Sequence, residues 1–87
     1  MKNDIEQIVM NTPVGENIPV ELPFWAAVKI EKFDDGTFYW AAKRLGIHGG
    51  GFSYPMKNGM EIKSWKTENG AKRNLIARLQ DVIGFVT

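Results

Sequence analysis

Between residues 24 and 45 apolar and polar positions alternate with a period of two, the mark of strands that bury one side. Residues 24–33 and 37–45 are rich in aromatic and β-branched side chains and flank Asp34-Asp35-Gly36. Three residues ending in glycine suit a type I turn followed by a left-handed residue and a bulge. That loop predicts a hairpin pairing Phe33 with Thr37, Ile30 with Trp40 and Val28 with Ala42. One face then carries Phe24, Ala26, Val28, Ile30, Phe38, Trp40 and Ala42 and is the expected core. The other carries Trp25, Ala27, Lys29, Glu31, Tyr39, Ala41 and Lys43. A two-residue Asp35-Gly36 turn would exchange the faces of the second strand. The three-residue loop is preferred because it leaves one face cleanly apolar.

Downstream, residues 46–51 read as a loop, residues 52–56 as a short edge strand containing Pro55, and Asn58-Gly59 as a type I′ hairpin turn. Residues 60–66 form the next expected strand, with Met60, Ile62 and Ser64 on one face and Glu61, Lys63 and Trp65 on the other. Thr67 is a suitable N-cap, with Glu68 in the first turn. Ala71, Leu75, Ile76, Leu79, Val82 and Ile83 then form a helical apolar stripe, with Lys72, Arg73, Arg78 and Asp81 off it. Gly84 is the expected end of this helix, with Phe85 supplying the apolar contact of the cap.

Residues 1–23 form an N-terminal arm. Ile5, Ile8 and Val9 have helical spacing, and Ile18, Val20 and Leu22 alternate around Pro19 as an edge strand would. The chain is therefore expected to be α+β. A small antiparallel sheet of three to four strands, with the order β-β-(β)-β-α over 24–87, packs against one C-terminal helix as two-layer packing requires.

Composition narrows the classes. An 87-residue chain that is 44% apolar and 11% aromatic is one globular domain with a thin stability margin. Without cysteine it has no disulfide framework, thiolate metal site or cysteine nucleophile, which leans toward a cytoplasmic location. No apolar run approaches the ~20 residues that span a membrane, and the first ten residues, with Asp4 and Glu6, do not read as a signal peptide. Charge is uneven. Lys2 stands against Asp4, Glu6, Glu16 and Glu21 in the arm, whereas residues 42–80 hold eight basic side chains against Glu61 and Glu68, a net +6. Such asymmetry marks either a solvated surface or an anionic partner.

No catalytic constellation is legible. His48 is the single histidine, with no partner acid or nucleophile in view. Gly49, Gly50 and Gly51 offer backbone N–H groups to an anion but lack phosphate-loop spacing, so His48, Gly49 and Gly50 are loop candidates only. Asp34 and Asp35 read as turn residues. No cofactor or metal is implied.

The most suggestive feature is the second sheet face, where Trp25, Tyr39 and Trp65 interleave with Lys29, Lys43 and Lys63. Ring faces stack on bases and cations meet phosphates. Burial under the arm, under lysine stems or against a partner would explain the same aromatics.

The order of sheet then helix over about residues 24–84 resembles three-stranded DNA-binding domains of the AP2 type and the arm-binding domains of some recombinases. It also resembles a double-stranded-RNA-binding domain without its first helix. The resemblance is one of element order; it carries no signature residue and transfers no residue role.

A non-enzymatic nucleic-acid-binding module is the leading expectation. A protein-interaction or inhibitor domain, of the size of a mobile-element accessory protein, would use the same aromatic face as anchors. A homodimer completing a thin core is the third possibility.

Overall fold

The computed structural model describes residues 2–20, 25–44, 51–59 and 61–86. In chain order these form α1 (Lys2–Asn11), β1 (Trp25–Lys32), β2 (Phe38–Arg44), β3 (Phe52–Ser53), β4 (Met56–Lys57), β5 (Glu61–Ile62) and α2 (Glu68–Val86). The architecture is α+β: an antiparallel sheet in the order β1-β2-β3, a separate β4-β5 ribbon, and helices on the sheet's core face. None of the described helices is long and apolar enough to cross a membrane.

The central hairpin has the expected register: Ile30 opposes Trp40 and Val28 opposes Ala42. The Phe33 N–H donates to the Thr37 carbonyl at 2.8 Å, and Gly36 takes the left-handed φ of 87° that closes a three-residue loop. Asp35 Oδ1 accepts from the Thr37 amide at 2.9 Å and its hydroxyl at 2.6 Å. These bonds hold the Asp35 carboxyl below its usual value, and they make Asp35 a turn residue. In the β4-β5 turn Asn58 and Gly59 have φ of 56° and 73°, as type I′ requires.

Both edges of this hairpin are covered. On the β1 side the arm adds a short rung: the Gly15 amide donates to Ile30 O at 2.7 Å and the Ile18 amide to Val28 O at 2.8 Å. On the β2 side β3 pairs through Ala42↔Ser53 and Lys43↔Phe52. Further along that edge Phe38 and Trp65 exchange two 2.8 Å backbone bonds.

α2 begins at the Thr67 cap, whose hydroxyl accepts from the Gly70 amide at 3.1 Å. Gly70 belongs here because the Trp65 ring lies against it: a Cβ at this position would meet Trp65 at 3.1 Å. Ala71, Leu75, Ile76 and Leu79 bury their stripe against Val28, Ile30, Trp40 and Ala42, and Val9 and Ile18 complete the core. The helix does not stop at Gly84 but continues to Val86.

Lys72, expected on the solvated side, is only 3% exposed. Its ammonium donates to Met10 O at 2.9 Å and pairs with Glu68 at 2.6 Å. It thereby satisfies a carbonyl at the end of α1, where cations are favoured. Thr12 satisfies two others, its hydroxyl bonding Ile8 O at 2.7 Å and its amide Val9 O at 3.3 Å.

Two tryptophans depart from simple alternation. The β1–β2 register slips between Trp25 and Ala27, so Trp25 opposes Arg44 and Ala27 opposes Lys43. This bulge leaves Ala26 exposed and turns Trp25 into the core, 7% exposed, with its ring 5.6 Å from that of Trp40. Trp65, paired with Phe38, likewise packs against the core instead of standing on the outer face. Phe24 lies outside the described residues.

Candidate functional site

The outer face of the sheet, opposite α2, is built by β1, β2 and the chain from Phe52 to Tyr54. Alternation places Lys29, Glu31 and Phe33 on it from the first strand and Tyr39, Ala41 and Lys43 from the second. The Lys43↔Phe52 pairing brings Phe52 onto the same face. Four rings then form a chain across it. Phe33 stacks on Tyr39 with centroids 4.2 Å apart, Tyr39 lies 6.2 Å from Tyr54, and Tyr54 lies 6.1 Å from Phe52. Phe52, the last ring of the chain, is 53% exposed.

Beside the rings is a shallow depression of about 280 Å³ whose lining includes Asn17, Ala27, Lys29, Ala41, Lys43 and Phe52. Alanines at 27 and 41 keep its floor low. Lys29 lies 3.1 Å from Glu31, so part of its charge is balanced locally. Lys43 is exposed, with no carboxylate partner among the described residues. Burial raises the Tyr39 hydroxyl above its usual value, with the Glu31 and Tyr54 charges adding to the effect and Lys29 opposing it. Tyr39 is therefore a neutral phenol, able to donate, at physiological pH.

Of the six expected binding residues the structure brings Lys29, Tyr39 and Lys43 together. Trp25 and Trp65 belong to the core side. Lys63 has its ammonium 5.4 Å from the centre of the Trp65 ring, around the β3 edge. His48, Gly49 and Gly50 lie outside the described residues. Phe33, Phe52 and Tyr54 join the face although sequence reasoning did not single them out. The alternation of Phe52 and Tyr54 was a visible signal, but their register on the second strand was not. Among the described residues no three His, Asp or Glu side chains are grouped to hold a metal ion. No protein-family model matches this sequence, and neither curated proteins nor solved structures provide a significant match.

Proposed function

We propose that the chain is a non-enzymatic module that binds single-stranded nucleic acid on the outer face of its sheet. The chain of four rings beside Lys29 and Lys43 is the observation that supports it. Unpaired bases offer π-faces to such a platform, whereas bases in a duplex are stacked on each other. Lysines beside the rings meet the phosphates between successive bases.

The test is fluorescence anisotropy of a labelled single-stranded oligonucleotide. Tyr39→Ala and Tyr54→Ala, each checked for folding by circular dichroism, are expected to weaken binding about 5- to 150-fold, from ~1–3 kcal/mol per stacked base. Lys43→Glu is expected to weaken it and flatten its salt dependence. Unchanged affinity in all three folded variants would remove the reading. The exposure of Phe52 at 53% and Met56 at 47% favours a second reading, a protein partner anchored on these side chains. Its mark would be binding that survives high salt and is lost in Phe52→Ala.

A further inference from the structure

Around the β3 edge from the ring face lies a larger groove, of about 650 Å³, between the end of β2, the chain from Ser53 to Met56, and α2. That volume falls within the range of roughly 300–1,000 Å³ usual for ligand sites. Three cations line it, Arg44, Lys63 and Arg78, and no carboxylate does. None of the three is ion-paired among the described residues. Asn74 also lines the groove: its Oδ1 accepts the Trp40 indole N–H at 2.9 Å, which leaves the amide nitrogen's donors to the groove. Phe52 and Tyr54 stand on its rim and are also the last two rings of the aromatic chain. A ligand leaving that chain therefore passes directly into the basic groove.

We propose that this groove is a track for the sugar–phosphate backbone of the same single strand, with Arg44, Lys63 and Arg78 neutralising its phosphates. The inference rests on the proposed function, because the rings supply the bases to which that backbone belongs. Charge complementarity decides the occupant: three unpaired cations with no balancing acid attract a polyanion. An apolar peptide would leave all three cations unsatisfied.

The experiment uses the full chain and two labelled probes of equal length, an oligothymidylate and an abasic oligomer carrying only sugar and phosphate. Binding is measured from 50 to 200 mM salt for the wild type, for Lys63→Gln with Arg78→Gln, and for Tyr39→Ala. Each phosphate contact to a single strand contributes about 0.7 to the slope of log affinity against log salt. Loss of two contacts is expected to lower the slope by about 1.4. Over the fourfold salt range the wild type then loses about sevenfold more affinity than the double variant. The abasic probe is expected to bind weakly, to respond to the double variant, and to ignore Tyr39→Ala.

An unchanged slope in a folded double variant, with Tyr39→Ala still weakening the oligothymidylate, would overturn the groove and leave the ring face standing. Equal response of both probes to the double variant, with none to Tyr39→Ala, would remove the stacking face and overturn the shared-strand track, leaving a polyanion groove alone. Failure of the wild type to bind either probe would remove both.

Discussion

Trp25→Ala and Ala26→Lys form a pair that separates the bulged hairpin from a regular one. In regular alternation Trp25 stands on the outer face and Ala26 in the core. Removing the first then costs little, as surface changes usually stay within about ±0.5 kcal/mol, and adding a lysine at the second is severe. The bulge reverses both. Trp25 is 7% exposed and packs on Trp40 at 5.6 Å, and Phe or Trp to Ala in a core costs about 3–5 kcal/mol. Burial arithmetic agrees: roughly 150–250 Å² of aromatic surface at ~25 cal/mol/Å² is worth about 4–6 kcal/mol. A chain of this length has a total stability of about 4–13 kcal/mol, so the loss is a large share of it. Urea unfolding followed by far-ultraviolet circular dichroism is the assay, since the signal does not depend on the tryptophan removed. With an m-value of about 1–3 kcal/mol/M, the Trp25→Ala midpoint is expected to fall by more than 1 M. Ala26→Lys is expected to leave it within a few tenths. The opposite ranking of the two variants would refute the bulge.

Two further outcomes follow from the same geometry. Lys72→Glu sets a second carboxylate beside Glu68, which is 41% exposed, and withdraws the donor from Met10 O; it is expected to cost about 3 kcal/mol or more, with amide hydrogen exchange in α1 losing protection first. Asp35, whose carboxyl is held below the ordinary 3.8 by its two bonds to Thr37, adds stability that is fully present above that ordinary value and is lost as pH falls through its lower folded value. The stability gap between wild type and Asp35→Ala should therefore be constant at neutral pH and close only in acid. A gap unchanged at the acid end would show that those bonds do not act through the ionised carboxylate.

What was legible in the sequence and what was not divide along a physical line. The two turns were legible because left-handed backbone is a local demand that Gly36, Asn58 and Gly59 meet. The start of α2 was legible because Thr67 caps its own helix, and the core stripe because its period is a property of the helix itself. The bulge was not. Ala26 and Ala27 are alike in size and polarity, so inserting an extra residue there changes no pattern that alternation can detect. Lys72 was misplaced because what buries it is α1, a segment remote in sequence that packs against α2.

The candidate site shows the same division at higher stakes. An aromatic and basic character for the outer face follows from alternation within the hairpin, and Lys29, Tyr39 and Lys43 remain there. Its membership depends on contacts that alternation does not encode. The slip at residues 25–27 withdraws Trp25, the Phe38 rung withdraws Trp65, and the Lys43↔Phe52 rung supplies Phe52 and Tyr54 in their place. The exchange sets four rings in one chain across the surface. Trp25 and Trp65 instead add to the core of a short chain, which has little apolar surface to spare. Arg44, two residues beyond the buried Ala42 and bonded through its amide to Gly51 O at 2.7 Å, continues the β2–β3 pairing and lines the groove. One backbone pairing thus joins the ring face to the three cations, and a substitution that shifts the β2–β3 register would be expected to disturb both together.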